Sequence, residues 1–154
     1  MTYYAIYRVD LSAYPMMASR DVNVLALISE SVGGEREDEL FYNYLIQAAP
    51  TQQEKQVITS IRDDERKHGR MFREIYYYLT GTMPAAPSTD VMFQPPDSYT
   101  EGIQKALLGE LKAFEKYRSI YLNIRPELRD RIFEIMTDEI KHASYYNWLY
   151  AKNK

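Results

Sequence analysis

Ile61-Arg62-Asp63-Asp64-Glu65-Arg66-Lys67-His68-Gly69-Arg70-Met71-Phe72 is answered later in the chain by Ile135-Met136-Thr137-Asp138-Glu139-Ile140-Lys141-His142-Ala143-Ser144-Tyr145-Tyr146. The two stretches share Ile-x-x-Asp-Glu-x-Lys-His, then a small residue, then an aromatic one three positions on. The chain has only 2 histidines, and each closes a Glu-x-x-His. On a helix, residues three apart lie on one face, about 5–6 Å apart at Cβ, so a carboxylate and an imidazole can reach the same metal ion. A lone Glu-x-x-His is a weak signal; its duplication inside a longer internal repeat makes a metal site the sharper reading.

Working outward, the apolar spacing predicts four helices. From about Asp21 to Ala49, Val24, Ile28, Val32, Tyr42 and Leu45 or Ile46 keep helical period, with Glu35 and Glu39 on the same stripe. Gly33-Gly34 interrupts this helix one turn before those carboxylates, and Pro50 ends it. Thr51 and Glu54 form a capping box for the second helix, where Ile58, Ile61, Glu65, His68, Phe72, Ile75 and Leu79 follow one seam up to Gly81. The connection between these two is a tight antiparallel turn. Residues 81–97 are rich in Pro, Ser and Gly. A linker of about 17 residues can span roughly 56 Å, enough to return along a helix of about 40 Å. A long crossover between helices two and three is therefore expected. Ser98 and Glu101 cap the third helix, with Ile103, Leu107, Glu110, Phe114, Tyr117 and Tyr121 as its seam. After Arg125-Pro126 the fourth seam is Leu128, Ile132, Ile135, Glu139, His142, Tyr146 and Leu149. All four seams carry a Glu near mid-helix.

The composition agrees with one all-α domain. At 154 residues the chain is long enough for a substantial core, and without cysteine it has no disulfide, thiolate metal site or thiol nucleophile. Residues 1–20 form an aromatic arm (Tyr3, Tyr4, Tyr7, Tyr14) without helical period, and the domain proper is 21–154. The N-terminus lacks a basic, apolar leader and no stretch reaches membrane-spanning length, so a cytoplasmic protein without a membrane partner is expected. A net charge of −3, from 22 acidic and 19 basic side chains, gives no general attraction to nucleic acid. The 15 tyrosines supply amphipathic rings suited to interfaces, and a homodimer or higher homo-oligomer is expected.

The halves align beyond the motif. Glu35 precedes Glu65, and Glu110 precedes Glu139, by nearly the same interval, and each is followed seven residues later by tyrosine, Tyr42 or Tyr117. Two helices giving a single Glu and two giving Glu-x-x-His, all inward, form the ligand set of a carboxylate-bridged dinuclear iron or manganese site. Four carboxylates facing two dications approach neutrality, whereas an unpaired buried carboxylate is strongly destabilising. Glu39, one turn from Glu35, is an alternative or additional ligand. A buried salt-bridge network among the same residues is the metal-free alternative.

Over about residues 21–152 the chain resembles the ferritin-like superfamily, and specifically a rubrerythrin-type di-iron domain. That resemblance implies a four-helix bundle in which Glu35, Glu65, His68, Glu110, Glu139 and His142 ligate two iron ions, manganese being possible, with Glu65 and Glu139 bridging. It further implies that Asp64 orients His142 and that Asp138 orients His68. Tyr42 and Tyr117 are candidates for hydrogen bonds to the ligand carboxylates. Two departures matter. Without cysteine there is no rubredoxin-like iron site, so reductant must come from an external electron donor. The additional Glu that rubrerythrins carry three residues after the third-helix ligand is replaced by Ala113, which makes the set similar to ferritin-type ferroxidase centres.

The functional expectation is an oxidoreductase that reduces peroxide or dioxygen or oxidises ferrous iron. The alternative, from another class, is a non-catalytic metal-binding, storage or structural protein, for instance of a spore or coat layer.

Overall fold

The computed structural model of the chain describes residues 23–86 and 92–154; the predicted aromatic arm, the middle of the predicted linker and the side chain of Glu35 lie outside the described residues. Among those residues are five α-helices, a single-turn 3-10 helix at Pro126–Leu128, and no strand. The protein is all-α. The first predicted helix is divided into α1 (Val24–Gly33) and α2 (Glu35–Ala48). The break falls at Gly34, whose backbone stays near helical (φ −82°, ψ −10°), so α2 follows α1 without a loop. Asn23 caps α1 by accepting the Ala26 N–H at 3.0 Å.

α3 (Gln52–Thr80) starts at the predicted capping box, where Thr51 Oγ1 accepts the Glu54 N–H at 3.3 Å. It ends at Gly81, whose φ of 73° is the left-handed conformation that glycine adopts without a Cβ clash. α4 (Tyr99–Asn123) starts at Ser98, which accepts the Glu101 N–H at 3.1 Å, while Glu101 accepts the Asp97 N–H at 2.9 Å. α5 spans Arg129–Asn153.

The apolar stripes of these helices meet in two separate cores. One gathers Ile28 and Val32 of α1, Phe72 of α3, Ile120 of α4 and Ile132 and Ile135 of α5. The other gathers Leu45 of α2, Ile58 and Ile61 of α3, Ile103 of α4 and Tyr146 and Leu149 of α5. Between them, in sequence along three helices, lie Glu65 and His68, Glu110, and Glu139 and His142. The last four of these are buried, so a polar layer separates two dry halves. α3 and α4 both pass from the second core to the first, and α5 passes back.

The predicted seam of α4 differs in register from the observed one. Ile103, Glu110 and Tyr117 are buried as expected, but Leu107, Phe114 and Tyr121 are only half-buried, and Ala106, Ile120 and Ile124 take the interior places. At the end of this flank Tyr121 meets Phe133 of α5 at 6.2 Å between ring centroids and lies under the Arg129 guanidinium.

The capping box also does more than end a helix. Glu54 is buried, and its carboxylate accepts from Tyr99 of α4 at 2.9 Å, from Asn153 of α5 at 3.0 Å and from Lys152 of α5 at 3.0 Å. One charge thus pins the starts of α3 and α4 to the end of α5. Among the described residues, no helix is long and apolar enough to cross a membrane.

Candidate metal centre

Each motif residue arrives at the polar layer because its helix puts positions three and four apart on one face. His142 Nδ1 stands 3.0 Å from Glu65 Oε1 and 3.6 Å from Glu110 Oε2. His68 Nδ1 stands 3.2 Å from Glu139 Oε1 and 3.5 Å from the same Glu65 Oε1. Glu65, Glu110, Glu139 and His142 each offer a ligand atom within 4.8 Å of the others, a grouping that could hold a metal ion.

The ring faces away from this centre are tied down. His68 Nε2 pairs with Asp138 Oδ2 of α5, and His142 Nε2 pairs with Asp64 Oδ2 of α3, both at 3.1 Å. When the ring is neutral and Nε2–H donates to the carboxylate, Nδ1 is the lone-pair nitrogen, the arrangement of a metal-ligating imidazole.

The unmet polar atoms of these residues bear on whether they suit a cation. Glu65 Oε1, Glu139 Oε1, His68 Nδ1 and His142 Nδ1 are all buried and none makes a hydrogen bond, although they approach one another closely. With the rings neutral these are four unmet donor atoms that a cation could share; with the rings protonated they pair as the buried salt-bridge network that is the metal-free alternative, at 3.0–3.5 Å. Oxygen and imidazole donors fit iron, manganese or zinc.

The charged groups of the layer shift one another strongly. Burial pushes the Glu139 carboxyl well above the usual range, and Glu65 adds to the push. Burial would raise Glu65 as well, but His142 and His68 outweigh it and hold it at about 2. For His68, burial alone would favour the neutral ring, yet Glu139 and Glu65 raise it to about 10; for His142, Glu110 and Glu65 overcome burial and raise it to about 11. The carboxylates thus favour positive charge beside them, whether a proton on each ring or a cation.

Two cavities reach the layer. The smaller, about 90 Å³, touches Glu65, His68 and Tyr42, and the larger, about 650 Å³, touches Glu65, Glu110, Glu139 and Ala113. Asp38 lines both. Much of that residue remains in solvent, but its carboxyl turns toward the acidic layer, and desolvation followed by repulsion from Glu65, Glu37 and Glu110 raises it to about 6.

The expected residues therefore fall as follows. Glu65, His68, Glu110, Glu139 and His142 come together, with Asp64 and Asp138 behind the two rings. Glu35 begins α2, but its side chain lies outside the described residues. Glu39, the alternative, is held at the surface by Arg66 at 2.5 Å. Tyr42 donates to Glu110 Oε1 at 3.3 Å, whereas Tyr117 packs its ring on Phe72 at 4.9 Å. Two residues of this neighbourhood were not singled out from sequence. Asp38 lies one turn after Glu35, where helical spacing lets either position 38 or position 39 share its face. Lys141, inside the repeated motif, donates to both Asp64 and Asp138 at 2.9 and 2.6 Å.

No family model matches the sequence, and no solved structure matches it. A curated relative, "Uncharacterized protein YhjR" of Bacillus subtilis (strain 168), is 26% identical over 104 residues, covering 68% of this chain and 70% of its own length.

Proposed function

We propose that the chain is a ferritin-like di-metal carboxylate protein of rubrerythrin type, acting as an oxidoreductase on peroxide or dioxygen or as a ferroxidase. The observation that carries this reading is the convergence of four buried donor atoms that could share a cation, Oε1 of Glu65 and Glu139 and Nδ1 of both histidines. The four-helix bundle with a crossover is supported by the helix directions: α3 and α4 run the same way between the two cores, and Tyr99 at the start of α4 bonds Glu54 at the start of α3.

The residues that would hold the metals are His68 with Glu139 and His142 with Glu110, with Glu65 reaching toward both rings and Glu35 completing the expected set. Bound iron or manganese would supply electrons to the oxidant and electrostatic stabilisation of the charge that develops. The chain's own contribution is orientation and exclusion of water. Asp64 and Asp138 fix the two rings, and the apolar cores on either side keep solvent from entering along the helices. Tyr42 holds the Glu110 carboxylate through its hydroxyl. Access is through the larger cavity, which runs past Ala113 to Glu110 and Glu139.

The test is metal content after purification without added metal, followed by anaerobic reduction and stopped-flow mixing with hydrogen peroxide and with dioxygen. Two ions per chain and oxidation faster than that of free metal are expected. Two ions without accelerated oxidation would leave metal binding or storage, and no metal would overturn the reading.

A further inference from the structure

The two Asp–His pairs behind the centre are not independent. Lys141 Nζ donates to Asp64 Oδ2 at 2.9 Å and to Asp138 Oδ1 at 2.6 Å. Asp64 Oδ2 also meets His142 Nε2, and Asp138 Oδ2 meets His68 Nε2, each at 3.1 Å. A continuous chain of hydrogen bonds therefore runs from His142 through Asp64, Lys141 and Asp138 to His68, spanning α3 and α5. Two carboxylates facing each other across a helix pair repel, and a single ammonium between them is what lets both stay ionised and in place.

The repeat supplies its own comparison. Lys67 occupies in the first motif the position of Lys141 in the second, yet it pairs with Glu134 and bonds neither aspartate. The side chains of Lys67 and Lys141 are similarly exposed, at 44% and 45%, and both link α3 to α5. The symmetry of the sequence is thus broken in the structure, and one lysine serves both halves.

We infer that Lys141 is a positioning residue that ties the two histidines into one unit, so that both metal positions depend on a side chain that ligates neither. This rests on the di-metal reading. It predicts a property that a plain surface ion pair would not have: loss of Lys141 disturbs both positions together, while loss of Lys67 disturbs neither.

Zinc(II), a diamagnetic probe for the same donors, tests this by competition titration against a chromophoric chelator. The wild-type chain, Lys141→Met, Lys141→Gln and Lys67→Met are compared, each checked by circular dichroism. Lys141→Met and Lys141→Gln should raise Kd at both equivalents by about tenfold or more, the scale of disrupted support behind metal ligands. Lys67→Met should stay within about twofold of wild type. In nitrogen-edited NMR of the zinc-loaded protein, two slowly exchanging histidine Nε2–H signals should be present in wild type and Lys67→Met and be lost or fast-exchanging in the Lys141 variants. Equal affinities and intact signals in the Lys141 variants, with tight zinc binding by wild type, would overturn this inference alone. Failure of the wild-type chain to take up zinc would overturn the di-metal reading and this inference with it.

Discussion

The imidazoles of His68 and His142 stack with 5.9 Å between ring centroids and 29° between their planes, and each is held by an aspartate on the other's helix. Neither ring can rotate without breaking a bond across the α3–α5 pair, so the two Nδ1 atoms are presented to the carboxylates as a fixed pair. The first prediction follows from that. His68→Ala with His142→Ala should abolish tight metal binding, read as metal per chain after dialysis, while circular dichroism still reports a helical protein. Two retained equivalents would place the metal elsewhere.

Metal removal should soften the fold without erasing it. A ligand that binds only the native state at a hundred times its Kd adds about 2.7 kcal/mol, which for a chain of this size corresponds to a rise in Tm of roughly 5–10 °C per site. Calorimetry of chelated and metal-replete protein checks this. The two cores on either side of the layer are built without the candidate ligands, so the chelated chain should still unfold cooperatively.

How much of this could be read from sequence depends on which contacts are local. Glu-x-x-His, both N-caps and the glycine stop are local, since helix geometry alone determines them, and they lie where expected; the return bond of each capping box goes elsewhere, Glu101 accepting from Asp97 and Glu54 turning inward. The α4 register is not legible locally, because Leu107, Phe114 and Tyr121 keep helical spacing as well as Ala106, Ile120 and Ile124 do, and only the packed helices show which set flanks the interior. Glu54 was read as a cap; its partners Tyr99, Lys152 and Asn153 are far away in sequence, and nothing local marks them. The same holds for Lys141: its motif position is legible, but that it differs from Lys67 is decided by the packing of α3 on α5.

Glu54 gives the acid-sensitivity prediction. Burial would raise its carboxyl, but hydrogen bonds from Lys152, Tyr99, Asn153 and Thr51 hold it below the ordinary 4.5. A depressed carboxyl contributes stability that is fully present above the unfolded-state value and is lost as pH falls through the folded-state value. Glu54→Gln should therefore cost on the order of 2–3 kcal/mol at neutral pH. The gap from wild type in urea titrations should narrow below about pH 4.5. A gap independent of pH would show that packing, not charge, holds the three helix ends.

Tyr146 is fully buried, and its hydroxyl makes no hydrogen bond, whereas the repeat carries Phe72 at the corresponding place. An unsatisfied buried hydroxyl costs about 1–3 kcal/mol. Tyr146→Phe should thus raise the stability of the metal-free chain by about 1 kcal/mol, measured as a shift in urea midpoint at constant slope. A destabilised variant would mean that the hydroxyl has a partner in solution.

Ala113 decides between an open and a closed centre. It lies one turn after Glu110 on α4, half-buried, and lines the larger cavity together with Glu110 and Glu139. A site that serves stability alone is best with every coordination position filled by protein, whereas chemistry on a small oxidant needs one left free. A carboxylate at 113 would project into the cavity where the oxidant must enter, and would add negative charge to a layer already so crowded that Glu139 is pushed far above its usual range. Ala113→Glu should therefore leave metal stoichiometry at the wild-type value and slow oxidation of the reduced centre by peroxide or dioxygen at least about tenfold, a rise of about 1.4 kcal/mol in the barrier. Stopped-flow traces of wild type and variant, with metal content measured on the same samples, make the comparison. Unchanged oxidation rates at unchanged stoichiometry would show that the cavity beside Ala113 is not the route by which the oxidant arrives.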